Sequence, residues 1–316
     1  MLRSIVITIA SIGGAHAATL TVEADGSGEY ATIQEAINAA TDGDLVAVGP
    51  GTYSETINFY GKAITVQGTA GAESTVLDGE GDLTHVVQFF MGEGAESRLE
   101  GVTILNAWSQ GVIVLGSSPT FADVTFSGMG NDSIYGGALA ILGGGATIEG
   151  CTFENNRAFD GGAIFAAGTV DLSISGTYFS QNKAVGYTGD DDDLYSGNTG
   201  DGGAIHVSGH GTIDITDTSF WKNSAYDDGG AINGQTFSGD VTMTETIFED
   251  NVTTRGMGAA VALIMHSGEL VDDFSEYANV LITESSFTGN NAQRDDGGAI
   301  VLYGQSTAPI NADISS

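Results

Sequence analysis

Four aspartates each stand directly before a glycine pair, at Asp160, Asp201, Asp228 and Asp296. In a repeating chain these carboxylates would form a file, and like charges held that close repel one another. Either water screens them or a hard cation such as Ca²⁺ bridges them through carboxylate and backbone carbonyl oxygens. The Asp190 to Asp193 run and the pairs Asp227-Asp228, Asp272-Asp273 and Asp295-Asp296 would extend such sites. None has the spacing of an EF-hand loop or of a GGxGxD array. Acid–base catalysis would pair a carboxylate with a proton carrier, and Asp201, Asp228, His210 and Lys222 are the residues available for it. Each also has a plain structural role. His210 sits in a tight turn, Gly209-His210-Gly211, and Lys222, like Arg157, Lys183, Arg255 and Arg294, lies near a recurring asparagine, where an exposed ion pair accounts for it. His85, His206 and His266 show no ligand spacing and read as polar surface residues.

These side chains are positioned by a repeat. The phrase is an aromatic residue, two variable residues and an asparagine, followed by Gly-Gly-Ala and an aliphatic residue. It occurs at Phe153 and Asn156, Phe179 and Asn182, Phe220 and Asn223, Phe248 and Asn251, and Phe287 and Asn290. Self-similarity at a period of roughly 20 to 50 residues means stacked structural units. The basic unit is 26 to 28 residues, twice lengthened, to 41 and to 39. The extra residues lie in 186–200 and 266–278, both acidic or polar, where surface loops can grow without disturbing their neighbours.

Upstream of each phenylalanine the residues alternate, with Ile148, Ile174, Ile215, Met243 and Ile282 five positions before it and Ala146, Leu172, Ile213, Val241 and Val280 seven before it. Period-two alternation with β-branched residues describes half-buried strands and excludes a helical solenoid. Short strands with glycine-rich corners at one repeat length predict an all-β fold, a parallel β-helix whose coils pair at about 4.8 Å. Phenylalanines then stack inside, and each asparagine falls at a corner where its amide can bond the equivalent amide of the next coil. The glycine pair supplies positive φ or close backbone approach. A β-sandwich would need alternating strand directions but no fixed phrase in register.

Composition agrees. With 48 Gly, only 3 Pro and 41% hydrophobic residues, the chain suits many tight corners around a core, not disorder. Residues 1–17 read as a secretory signal peptide: Arg3, the apolar run Ile5 to Ile12, and a small-x-small site at Ala15-His16-Ala17. That run is too short to span a bilayer. The β-helix then occupies 18–316 as one domain without a transmembrane segment. The formal charge of −33 becomes one unit more negative when Arg3 is removed. So anionic a chain argues against nucleic acid and an unaided anionic polysaccharide as partners, leaving divalent cations and neutral glycans; solubility or life in saline water also accounts for the charge. Cys151 is the only cysteine, so no intrachain disulfide forms; it shares a column with Thr177, Thr218, Thr246 and Ser285 and reads as a small buried residue. Thr32-Ile33-Gln34-Glu35 is a capping-box pattern, predicting a short helix over about 32–41 that covers the open end of the stack. Ile310, Ala312 and Ile314 match the inward alternation but no phenylalanine follows before Ser316, so the chain is expected to stop inside a coil.

These residues resemble several families. Asp25-Gly26-Ser27-Gly28-Glu29-Tyr30, Thr32 to Ile37 and Pro50-Gly51-Thr52-Tyr53-Ser54-Glu55 resemble the amino-terminal cap of secreted pectin-lyase-like proteins, including pectin methylesterases. That likeness implies the right-handed parallel β-helix and its cap; the later Gln-Asp-Thr-Leu-Tyr type motif of the esterases is absent. The Gly-Gly-Ala-Ile and Phe-x-x-Asn phrases over Gly136 to Ile300 resemble the polymorphic outer-membrane autotransporter passengers, which implies secretion, surface display and adhesion to a host or cell-surface protein or to carbohydrate. The coil at Gly256-Met257-Gly258-Ala259-Ala260-Val261 departs from the phrase. Asn198-Thr199-Gly200-Asp201 and Gly209-His210-Gly211 are similar in outline to polygalacturonase signatures, enzymes that use paired carboxylates; the order differs, an extra glycine intervenes and no Arg-Ile-Lys follows. A pectate-lyase mechanism would need Ca²⁺ beside a basic residue. The expectation is a non-catalytic, adhesin-like or glycan-binding protein acting through its acidic loops, with a Ca²⁺-dependent polysaccharide lyase or glycoside hydrolase as the alternative and no cofactor beyond Ca²⁺.

Overall fold

The computed structural model describes residues 17–186, 199–265, 278–294, 298–304 and 310–315. Among them the chain winds through three sheets whose strands pair in parallel. One coil contains a long strand such as Ile164–Ser175, a turn, the short strand Tyr178–Ser180, a second turn, and the two-residue strand Lys183–Ala184. The long strands bend at glycine, with Gly168 at φ +95° and Gly209 at φ +109°, so one strand lines two walls of the solenoid. Of the two predicted insertions, residues 187–198 and 266–277 lie outside the described residues, as do 1–16 of the signal segment and Asp296. Register survives both: Ile164 pairs with Ile205 and Val241 with Val280.

Phe126, Phe153, Phe179, Phe220, Phe248 and Phe287 occupy successive positions of one sheet. Their ring centroids are 4.4 to 4.9 Å apart and their planes lie within 8° of parallel. Free aromatic pairs favour offset or edge-to-face contact, but here the strand spacing of about 4.8 Å dictates the separation. In the amino-terminal coils, where the repeat is less regular, Phe89 and Phe121 meet edge to face instead. Each fully buried phenylalanine contributes roughly 1.5–3 kcal/mol of transfer free energy.

The asparagines complete the ladder at the corner. Asn182 Oδ1 accepts from both Asn156 Nδ2 (3.0 Å) and the Asn156 backbone N–H (3.1 Å), while Asn182 Nδ2 donates to Asn223 Oδ1 (3.0 Å) and to the Phe153 carbonyl (2.9 Å). Asn223, Asn251 and Asn290 continue the pattern. Amides suit this column because they donate and accept at once. The residue before each asparagine takes the left-handed region: Asn155, Gln181, Lys222 and Asp250, at φ 53° to 55°. A parallel column of hydroxyls runs through the other turn, where Thr177, Thr218, Thr246 and Ser285 each donate to the carbonyl two residues back. Cys151 is its sulfur member, 3.4 Å from the Glu149 carbonyl, and burial pushes its thiol up to about 12.

Glycine pairs are required by space. A Cβ on Gly203 would lie 2.1 Å from the Gly230 carbonyl oxygen, and Gly202 has φ +64°. The divergent coil keeps the register with Met257, Gly258 and Ala259 standing where Asp228, Gly229 and Gly230 stand one coil earlier.

The predicted helix is Ile33–Ala39, with Thr32 as N-cap accepting from the Glu35 backbone N–H at 3.1 Å. Glu35 returns its bond to the Ala31 N–H and not to that of Thr32. Ile33, Ala36 and Ile37 are buried against the end of the stack. One strand, Thr19–Val22, precedes this helix and pairs with Leu45–Val48, so strand pairing begins before the capping helix. No helix among the described residues is long and apolar enough to cross a membrane.

Candidate functional site

The aspartate file exists, and its geometry is that of a backbone cap. Asp160 Oδ1 accepts from the Gly200 N–H (2.6 Å) and the Asp201 N–H (3.0 Å), Asp201 Oδ1 from the Asp228 N–H (2.9 Å), and Asp228 Oδ1 from the Met257 N–H (2.7 Å). All three are buried. Tyr135 bridges to Asp160 at one end and Met257 follows Asp228 at the other, so the file holds three carboxylates among the described residues. Burial raises Asp160, and burial together with the neighbouring carboxylates of Asp160, Asp228 and Asp227 raises Asp201 well above the usual range. Asp201 Oδ2 has no hydrogen-bond partner. Among the described residues no group of three or more His, Cys, Asp or Glu side chains is arranged to hold a metal ion.

The other residues of the acid–base set sit elsewhere on the coil. His210 is exposed at the bend of the long strand, its Nε2 2.9 Å from Thr169 Oγ1. Lys222 is at the asparagine corner, its Nζ 4.2 Å above the Trp221 ring. Asp201, His210 and Lys222 therefore occupy three different turns, and the fold does not bring them to one place. His206 corrects the expectation of a surface histidine. It is buried, stacked on Phe165 at 5.3 Å, and burial lowers it to about 4. Its Nδ1 and both side-chain polar atoms of Asn233, its partner on the next strand, have no hydrogen bond. Strand alternation points His206 outward, and only the surrounding structure decides that this outward position is covered.

A concave surface among the described residues lies elsewhere. Four consecutive strands, Thr75–Asp78, Thr103–Leu105, Thr125–Ser127 and Thr152–Glu154, are followed by segments of different length. Between them lies a groove of about 1060 Å³ whose lining includes Glu80, Asn106, Trp108, Asn131, Asp132 and Arg157. Trp108 is 66% exposed, unusual for so large an apolar side chain. Its backbone is pinned on both sides, its N–H donating to the Leu83 carbonyl at 2.8 Å and its carbonyl accepting from Asn131 Nδ2 at 2.9 Å. Asn131 Oδ1 closes an Asx turn with the Ser133 N–H at 2.9 Å. Opposite, Arg157 forks onto Asp132 through Nε and Nη2, the latter bond 2.8 Å long. That contact holds Asp132 below the ordinary carboxylate value and raises Arg157. Glu80 accepts from Ser54 Oγ at 2.6 Å, and Asn106 Nδ2 donates to Asp78 Oδ1 at 3.0 Å. The groove therefore offers an exposed indole ringed by fixed amides and carboxylates. Trp108 escapes a search for repeats because Asn106-Ala107-Trp108-Ser109 lies before the phrase becomes regular; its one sequence signal is a tryptophan next to a strand end in a chain with only two.

Comparison with known proteins gives the fold and its family. Pectin methylesterase from carrot superposes with a TM-score of 0.51 at 14% identity, over 96% of this chain and 90% of that one. A pectin methylesterase mutant in complex with a hexasaccharide matches at 0.49 and 14%, over 73% and 79%, and a mannuronic acid specific polysaccharide family 6 lyase from human gut microbiota at 0.46 and 12%, over 93% and 79%. No curated protein matches the sequence. The family model described as "Right handed beta helix region" matches residues 110–314. With most of its length accounted for by that model, and with parallel coils in register around a phenylalanine stack, the chain belongs to the right-handed β-helix family.

Proposed function

We propose that this protein is a secreted or surface-displayed β-helix that binds carbohydrate without chemically altering it, and that the groove around Trp108 is its binding site. The observation that carries this reading is the exposed indole, held by its own backbone hydrogen bonds and bordered by polar groups. An indole face matches the apolar C–H face of a pyranose, and fixed amides and carboxylates match its hydroxyls. The lining residues, Glu80 to Arg157, all precede both predicted insertions in the sequence. Catalysis on a glycan needs an acid and a base converging on one bond. Asp201, His210 and Lys222 sit at separate turns, which supports the non-catalytic reading over the lyase or hydrolase. The test is to incubate the protein with a panel of polysaccharides, with and without Ca²⁺. Retention of a glycan that is lost in Trp108→Ala, with no new reducing or unsaturated ends, is the expected result; turnover of any of them would overturn it.

A further inference from the structure

Taking the glycan reading of the Trp108 groove as its basis, we infer that the ligand is an uncharged, extended polysaccharide chain lying along the solenoid axis, with about one sugar residue per coil. Three features of the groove point to this.

The first is direction. The lining comes from the ends of four strands that are consecutive in the stack, with Glu80 after the first, Asn106 and Trp108 after the second, Asn131 and Asp132 after the third, and Arg157 after the fourth. These positions succeed one another along the axis, so the groove runs across the coils and not along any one of them. A ligand following it meets a new set of side chains at each coil.

The second is spacing. Adjacent parallel strands are separated by about 4.8 Å, so four coils span roughly 14 Å. The repeat is close to the advance of one pyranose in an extended, equatorially linked chain. Asn106 and Asn131 belong to adjacent coils, one and four residues past their strands, so each coil brings an amide of its own to the chain. A compact or strongly coiled chain would lose this step after one residue.

The third is charge. Arg157 is the one cation in the groove lining, its Nε and Nη2 are engaged by Asp132, and Lys183, one coil further on, also acts on that carboxylate. Glu80 adds a carboxylate that accepts from the Ser54 hydroxyl and, among the described residues, stands in no salt bridge. A sugar carboxylate entering here would have to compete with Asp132 for Arg157 and would face Glu80, within a molecule of formal charge −33. Carboxylates are good acceptors for the hydroxyls of a neutral sugar, so the same groups that reject a uronate favour an uncharged one.

The experiment uses the full chain with Trp221→Phe, which leaves Trp108 as its only indole, and follows fluorescence on titration with oligosaccharides of increasing length. Neutral β-1,4-linked gluco-, manno- and xylo-series and an oligogalacturonate series are compared at about 10 mM salt, where the Debye length is about 30 Å. At least one neutral series should bind with an affinity that climbs to about four residues and then levels, and oligogalacturonates of equal length should bind at least about tenfold more weakly, the gap narrowing in Glu80→Gln. Oligogalacturonates bound as tightly as the best neutral series, or an affinity already complete at one or two sugars, would overturn this inference while leaving the groove a glycan site. If no series perturbs Trp108 and none is retained in a manner that depends on it, the glycan reading falls and this inference with it.

Discussion

The backbone N–H of Asp201 donates to Oδ1 of Asp160 at 3.0 Å, tying one buried carboxylate to the next across a gap between coils. The Asp228 N–H donates in the same way to Oδ1 of Asp201 at 2.9 Å. The bond explains why aspartate recurs before the glycine pair: its side chain caps N–H groups that the turn would otherwise leave unpaired.

Stacking these carboxylates has a pH signature. Burial and the flanking carboxylates raise Asp201 in the folded protein, so the folded state keeps a proton that the unfolded chain releases above its ordinary value near 3.9. Stability from this proton is fully present below that value and is lost as pH rises through the raised folded one. Melting followed from pH 4 to pH 8 should show Asp201→Asn gaining on the parent protein as pH increases, with little difference at the acid end. Equal slopes for the two proteins would show that Asp201 is ionised throughout.

Asn182→Ala removes an amide making four hydrogen bonds in a buried position. Unpaired buried donors and acceptors cost about 1–3 kcal/mol each when they cannot reach water. A total loss of about 2–4 kcal/mol in urea unfolding is expected, against under about 1 kcal/mol for Gln181→Ala at the exposed neighbouring position.

Cys151 should be inert in the native state. Its thiol is buried and raised to about 12, so almost none is thiolate at pH 8. Alkylation should proceed only as fast as the protein unfolds, and Cys151→Ser, which restores the hydroxyl column, should fold normally.

Trp108→Ala should weaken glycan binding by about 2 kcal/mol, roughly thirtyfold, as expected for a buried aromatic anchor at an interface. Its thermal unfolding should match that of the parent because the ring is largely exposed. Calorimetry and melting on the same preparation separate the two effects.

Much of this architecture is written in local spacing. Phe179, Phe220 and Phe248 share a register because each lies at a constant distance from an alternating strand and a glycine corner, and parallel pairing admits one way of aligning them. The helix over Ile33–Ala39 was equally visible, through Thr32 and the apolar spacing behind it. The strand Thr19–Val22 was not, since four residues alternate too briefly to stand out and their pairing partner, Leu45–Val48, lies beyond the helix.

The sequence alone determined the coil: its period, inward columns, corners and the carboxylate file, all of which follow from short-range periodicity. Tertiary structure decided which outward positions remain outward. His206 and Trp108 both leave the inward pattern, yet one ends buried against Phe165 and the other stands open above a groove. The difference depends on how far each corner of each coil protrudes, a property of the stacked whole that no single repeat carries.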